Sequence, residues 1–68
     1  MEKLPENILK VLRSGESLTV PEIAFAVLGY QDVVQKTLHE MDDQGLVIMR
    51  NGFYKASATG LASLNKID

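Results

Sequence analysis

The chain contains no cysteine and a single histidine, His39, among its 68 residues. Without cysteine no disulfide can form, and a structural zinc site, which needs several Cys and His ligands, is excluded for practical purposes. We therefore expect no metal and no cofactor. A domain of this size buries only about 60% of the surface that its unfolded chain exposes, so its stability must come from a small apolar core.

Long apolar runs and an excess of basic residues are also missing. No segment approaches the roughly 18 apolar residues of a membrane span, and the N-terminal residues lack an apolar signal core, so we expect a cytoplasmic protein with no membrane contact. The formal net charge is −2, whereas nucleic-acid-binding domains usually carry a basic excess, because phosphate contacts supply most of their affinity. Any DNA-binding surface must therefore be a local patch.

Catalytic motifs are absent as well. His39 has no serine or cysteine in an obvious relation to it, and the position of Glu22 is explained by helix capping. Each of the five glycines lies at a break between predicted elements, so none belongs to a glycine-rich phosphate loop. We expect that the protein is not an enzyme.

Apolar residues make up 46% of the chain, and in its first half they recur at helical spacing. They predict a first helix over residues 4–13. Thr19 and Glu22 have the spacing of a capping box and predict the start of a short second helix that stops at Gly29. A third helix is predicted over residues 30–45. The expected core contains Ile8, Leu12, Ile23, Ala24, Val27, Val34, Leu38, Met41, Leu46 and Tyr54.

A hairpin is predicted over residues 47–56, because Asn51-Gly52 lies between two β-rich runs and suits a type I′ turn. The face expected to pack on the core carries Val47, Met49, Tyr54 and Ala56. The outer face carries Ile48, Arg50, Phe53 and Lys55. After the hairpin, Ser57 or Thr59 is placed to cap a final helical turn or two.

The central stretch "EIAFAVLGYQDVVQKTLHEMDDQGLV" resembles the winged helix-turn-helix family. It begins with Glu-Ile-Ala, has an apolar residue four positions after Ile23, and ends in "GLV" at the predicted strand. The following "FYKASATGLASL" is similar to the tyrosine-then-glycine tail of regulators in the multiple-antibiotic-resistance class. The resemblance covers roughly residues 6–60 and implies a mainly α fold, one domain over residues 1–68 with a three-helix core and a hairpin wing. Leu28 departs from the pattern by occupying the usual glycine place, with Gly29 one position later.

The resemblance implies that the third helix enters the major groove of double-stranded DNA. Its outward residues would be Gln31, Asp32, Gln35, Lys36 and His39. Glutamine can read adenine, lysine can read guanine or phosphate, and aspartate can accept a hydrogen bond from cytosine. The wing would add contacts through Arg50, Asn51 and Lys55. The same side chains also fit an ordinary solvated helix face, and Asp32 opposes binding because its carboxylate repels phosphate.

Two phenylalanines are candidates for a partner surface. In the family pattern the positions after Glu-Ile-Ala are charged and exposed, but here they are Phe25 and Ala26. We expect Phe25 to be partly buried against the first helix or the tail. The alternative is that Phe25 is exposed and forms a homodimer contact. Phe53 lies beside two cations on the outer face of the hairpin, where a large apolar side chain also suits a protein contact.

These features predict a small DNA-binding winged-helix protein, a transcriptional regulator of a prokaryote or of its phage or plasmid. Because one such domain makes few phosphate contacts, we expect a weak homodimer that binds two half-sites. The alternative is a winged-helix module that binds another protein and not DNA. The acidic net charge is the main support for that alternative.

Overall fold

The computed structural model describes residues 3–67, with side chains through residue 64. Over these residues the chain forms four helices and three strands: α1 (Leu4–Val11), β1 (Leu18–Thr19), α2 (Val20–Val27), α3 (Gln31–Asp43), β2 (Val47–Arg50), β3 (Phe53–Ala56) and α4 (Ala58–Ile67). The strands form one antiparallel sheet in the order β1-β3-β2. This is the predicted fold class, a helix-turn-helix core that carries a hairpin wing. In the described part of the chain, no helix has the length and apolar character needed to cross a membrane.

A proline in the first turn opens both α1 and α2. Pro5 and Pro21 occupy positions where no intrahelical N–H bond is lost. The predicted capping box of α2 is confirmed: the Glu22 carboxylate accepts the Thr19 N–H at 2.8 Å, and the Thr19 hydroxyl accepts the Glu22 N–H at 3.5 Å. α1 ends at Val11, two residues before the predicted end, because the chain turns there towards the loop that precedes β1.

α3 is shorter than the predicted helix of 30–45 by one residue at its start and two at its end. Tyr30 is its N-cap and has extended backbone, so it stands outside the helix. At the other end Gly45 has a φ of +77°, and the Leu46 N–H donates to the Met41 carbonyl at 2.8 Å. This is the Schellman cap that the sequence predicts, in which a glycine reverses the chain after the helix.

The wing contains the predicted turn and register. Asn51 and Gly52 have φ values of +52° and +83°, as a type I′ turn requires. β2 and β3 pair in the expected register. β3 is the central strand, because β1 pairs with its other edge and sets Leu18 opposite Tyr54. The sequence-based prediction lacks β1, since two residues are too few to show an alternating pattern.

The inner face of the hairpin is buried at its base and open near its tip. Val47, Tyr54 and Ala56 are buried, as predicted. The prediction for Met49 is wrong, because this side chain is 48% exposed. Met49 lies on the edge strand one residue from the end of β2, whereas its partner Tyr54 lies on the central strand and is flanked by β1.

The core lies between the helices and the base of the sheet. Its buried side chains are Ile8, Leu9, Leu12, Ile23, Ala24, Val34, Leu38, Met41, Val47, Tyr54, Ala56 and Leu64. Val27 and Leu46, which the sequence also assigns to the core, are only partly buried and pack against it. Leu9 and Leu64 belong to the core although the predicted set omits them. Leu64 is buried because α4 returns to α1.

Ser57 joins the end of α3 to the start of α4. Its hydroxyl donates to the Gly45 carbonyl at 2.6 Å and accepts the Gly60 N–H at 3.0 Å. Its own N–H donates to the Leu46 carbonyl at 3.0 Å. Ser57, rather than Thr59, is therefore the cap of the last helix. That helix runs for ten residues, well beyond the predicted turn or two.

Candidate nucleic-acid interface

α3 buries one stripe of side chains and leaves the opposite face in solvent. Val34, Leu38 and Met41 are buried, which confirms the predicted phase of the helix. The predicted reading residues Gln31, Asp32, Gln35, Lys36 and His39 are all exposed. The structure therefore places each of them where a DNA duplex can reach it.

Most acidic side chains of α3 lie away from the start of its exposed face. Glu40 lines a groove beside Pro5 of α1. Burial and, to a smaller degree, the negative charge of nearby Asp42 raise the pKa of Tyr54 above its ordinary value, so Asp42 lies on the side of the sheet. Asp43 is the last residue of the helix. Only Asp32 belongs to the first turn.

Asp32 has a structural role at the start of α3. Its carboxylate accepts the N–H of Val33 at 2.9 Å. A negative charge in the first turn is also favourable towards the partial positive charge at a helix N-terminus, typically by 0.3–1 kcal/mol. These contacts explain an aspartate at this position without DNA, but its charge remains on the exposed face.

The outer face of the wing forms a groove that is both cationic and apolar. It has a volume of about 340 Å³ and is lined by Ser17, Ile48, Arg50, Phe53 and Lys55. Strand pairing sets Arg50 opposite Phe53 and Ile48 opposite Lys55, so cations and apolar groups alternate. Neither cation forms an ion pair with another residue that the structure describes. Asn51 is exposed beside this groove and makes the turn.

Lys36 lies in a second groove, between the start of α1 and α3. This groove has a volume of about 420 Å³ and is lined by Pro5, Asp32, Val33, Lys36, Thr37 and Glu40. The structure thus brings Arg50 and Lys55 together on the wing and places Lys36 between two carboxylates on the helix.

The turn between α2 and α3 has an unusual residue in its left-handed position. Leu28 has φ +57° and ψ +42°, and its N–H donates to the Phe25 carbonyl at 3.2 Å. The N–H of Gly29 donates to the Ala24 carbonyl at 2.9 Å. This is again a Schellman arrangement, which normally has glycine where Leu28 stands. Gly29 itself does not have a positive φ.

Four large apolar side chains around this turn are exposed, and we call them the turn patch. Phe25, Leu28 and Tyr30 are 82%, 91% and 81% exposed, and Val33 is about half exposed. The prediction that Phe25 is partly buried against the first helix or the tail is wrong. α2 buries its other side through Ile23 and Ala24, so Phe25 points outward.

The sequence contains a signal for two of the four residues of this patch, Phe25 and Leu28. The family pattern places an exposed residue at the position of Phe25. Leu28 stands where the pattern has the turn glycine, and a turn residue at the surface has few neighbours to pack against. From the sequence, Tyr30 is placed at the start of the third helix and Val33 is assigned to no surface, so neither is predicted to be part of an exposed patch. Phe53, the other predicted partner residue, is 44% exposed on the wing.

Comparisons with known proteins do not assign the site. Among the residues that the structure describes, no three His, Asp or Glu side chains form a group that could hold a metal ion. No protein-family model matches the chain, and a search of curated proteins finds no significant match. A functional proposal therefore depends on the geometry and charge of these two grooves and the turn patch.

Proposed function

We propose that the chain is a small DNA-binding winged-helix protein, a cytoplasmic transcriptional regulator of a prokaryote or of its phage or plasmid. The first half of α3 enters the major groove, and the wing contacts the DNA backbone through Arg50 and Lys55. One observation supports this most directly. Lys36 on the exposed face of α3 and Arg50 and Lys55 on the wing supply three exposed cations, of which only Lys36 lies beside carboxylates, those of Asp32 and Glu40.

The other acids of α3 oppose this binding less than the net charge suggests. Asp43 follows Asp32 by eleven residues, which is roughly 16 Å along a helix that rises 1.5 Å per residue. At physiological salt the Debye length is about 8 Å, so exposed charges at that separation are largely screened. Asp43 would therefore affect a duplex at the start of α3 little, and the carboxylates that oppose binding there are Asp32 and Glu40, which share a groove with Lys36.

Two glutamines supply the base-reading chemistry. Gln31 and Gln35 are four residues apart, hence neighbours on one side of α3, and both are exposed. A glutamine amide offers a donor and an acceptor that match the major-groove edge of adenine, and one such pair discriminates against a wrong base by about 1–3 kcal/mol. Sequence preference is accordingly assigned to these residues and general affinity to the cations.

Binding by one domain should be weak and salt-dependent. Each neutralised phosphate contributes about 0.9 units to the slope of log affinity against log salt, so three cations give a slope of about −3 at most. Two domains on neighbouring half-sites would bind more tightly than one. We therefore propose a conditional dimer on DNA.

The test is a titration of random-sequence duplex DNA at low and at moderate salt. Arg50→Ala and Lys55→Ala should each weaken binding to all sequences and reduce the magnitude of the slope by about 1. Lys10→Ala is the matched control, because Lys10 lies on α1 and pairs with Glu6 at 3.4 Å. Gln35→Ala should alter sequence preference and leave the slope unchanged.

Asp32→Asn separates the two candidate functions. Removing this carboxylate should strengthen non-specific binding, because it removes a repulsion from phosphate. The proposal fails if the wild-type protein does not bind DNA at low salt and Asp32→Asn does not bind it either. The second candidate, a winged-helix module that binds another protein and not DNA, would then be preferred. The exposed turn patch favours that candidate.

A further inference from the structure

Three of the four side chains of the turn patch, Phe25, Leu28 and Tyr30, are exposed and are not among the proposed DNA contacts. An aromatic side chain presents about 150–250 Å², so Phe25 and Tyr30, at 82% and 81% exposure, contribute roughly 300 Å². Leu28 in the turn and Val33 at the start of α3 add further exposed apolar surface. The largest apolar patch on a typical monomer is about 300–600 Å² and is often functional.

Leu28 gains nothing within its own domain that explains its presence. A left-handed backbone is unfavourable for a non-glycine residue, because its Cβ comes too close to the following carbonyl oxygen. The side chain of Leu28 is 91% exposed, so internal packing does not offset this cost. Gly29 stands next to it, where no positive φ is needed. A contact between the Leu28 side chain and another molecule would explain why leucine, and not glycine, occupies the left-handed position and why its side chain is exposed.

The charges around the patch are mainly negative. Glu22 lies three residues before Phe25 on α2, and its negatively charged carboxylate also accepts the Thr19 N–H. Val33 continues the patch into the groove between α1 and α3, where Asp32 and Glu40 outnumber Lys36. A ligand that covers this surface must therefore combine apolar and basic groups.

We propose that the turn patch and the adjoining groove bind an amphipathic segment of another protein, with apolar side chains flanked by lysine or arginine. A helix laid into an apolar groove is a common mode of such recognition. The adjoining groove shares Asp32 and Lys36 with the proposed DNA-reading face of α3. Arg50 and Lys55 lie in the separate wing groove, so their variants test DNA binding without altering this surface.

A second copy of this chain fits the surface less well. In a two-fold contact the same patch lies on both sides, so the excess of Asp32 and Glu40 over Lys36 is present on both surfaces. The patch is also smaller than the roughly 800 Å² per partner of a stable interface. A basic partner segment can form ion pairs with the acidic side chains around the patch, whereas a second copy brings the same acidic side chains to the contact.

Two synthetic helical peptides of equal length provide the probe. Both peptides carry leucine at helical spacing on one face. The polar face carries lysine in the first peptide and glutamate in the second. Binding to the full chain is followed by NMR amide shifts. The lysine peptide should bind at least about tenfold more tightly than the glutamate peptide, and the shifts should map to the end of α2, the turn and the start of α3.

Variants test which side chains carry the binding. Leu28→Gly and Phe25→Ser should each weaken binding of the lysine peptide at least about fivefold. Loss of folding does not explain a weakening in Leu28→Gly, because glycine suits its backbone. Ile48→Ser is the control, a half-exposed apolar residue on the wing. Asp32→Asn should reduce the preference for the lysine peptide, whereas Asp43→Asn at the other end of α3 should not.

Three results would overturn the proposal. The first is equal binding of the two peptides, and the second is a set of shifts confined to the wing. The third is a concentration-dependent dimer in sedimentation that Leu28→Gly abolishes, which would make a second copy the occupant. None of these depends on the Arg50 and Lys55 variants, so failure here and failure of DNA binding are measured separately.

Discussion

Among the described residues, two other than glycine have a positive φ, Leu28 at 57° and Asn51 at 52°. Asparagine tolerates this conformation, because its short polar side chain can bond locally, and it is favoured in type I′ turns. Leucine has no such compensation. The two positions look alike in backbone geometry but differ in how well the residue suits them.

We expect Leu28→Gly to raise the free energy of unfolding by about 0.5–1 kcal/mol. The change relieves the strained backbone, which costs on the order of 1–3 kcal/mol, and part of that gain is offset because glycine makes the unfolded chain more flexible. Urea denaturation measures the difference. Leu28→Ala is the control, because it removes the side chain and keeps the strain, and it should change stability by less than about 0.5 kcal/mol. A less stable glycine variant would contradict this account.

At the scale of elements, α4 is held unusually close to the start of the wing. Ser57 bonds to the carbonyls of Gly45 and Leu46 and caps α4 through the Gly60 N–H. Gly60 is buried, and a Cβ at this position would collide with the Leu46 carbonyl oxygen. The absence of a side chain at Gly60 therefore allows the helix to reach the strand.

Gly60→Ala should lower the free energy of unfolding by about 1–3 kcal/mol, as overpacking a close contact does. Helix propensity alone predicts that the substitution raises the free energy of unfolding, because alanine is favoured over glycine in a helix by about 0.8–1.0 kcal/mol. The new methyl group would also lie 3.0 Å from Leu9 Cδ2. Thermal and urea denaturation show whether Gly60→Ala is less stable than the wild type, as expected, or more stable. Thr59→Ala, at an exposed position of the same helix, should stay within about 0.5 kcal/mol of wild type.

At the scale of the whole molecule, a single small core supports the helices and the wing together. The chain measures 29 × 27 × 21 Å, and no disulfide is available, because the sequence contains no cysteine. Stabilities of about 0.05–0.15 kcal/mol per residue give roughly 3–10 kcal/mol for a chain of this length. One core side chain is thus a large share of the total.

Leu38→Ala should cost about 2–5 kcal/mol, which is enough to unfold a domain at the lower end of that range. Leu38 is fully buried in the middle of α3, so its loss leaves a cavity among helices that hold the wing in place. Circular dichroism with urea denaturation measures the effect. Val33→Ala, a half-exposed position on the same helix, should have a much smaller effect. If the two variants were equally stable, Leu38 would not be a core residue.

Features set by neighbours along the chain were predictable from the sequence. The capping box at Thr19, the glycine cap at Gly45 and the turn at Asn51-Gly52 each depend on a few adjacent residues, and all three are present in the structure. The buried stripe of α3 follows from helical spacing and was also predicted correctly. These features together specify a helix-turn-helix core with a wing.

Tertiary structure alone decided the features that join distant residues. β1 exists because the chain at Leu18 reaches the free edge of β3, and Leu64 is buried because α4 returns to α1. The exposure of Met49 and the division of the cations between two grooves also depend on how the wing is placed. Local spacing predicts which residues share a face of an element, but burial and charge clustering require the packing partner, which the sequence pattern does not identify.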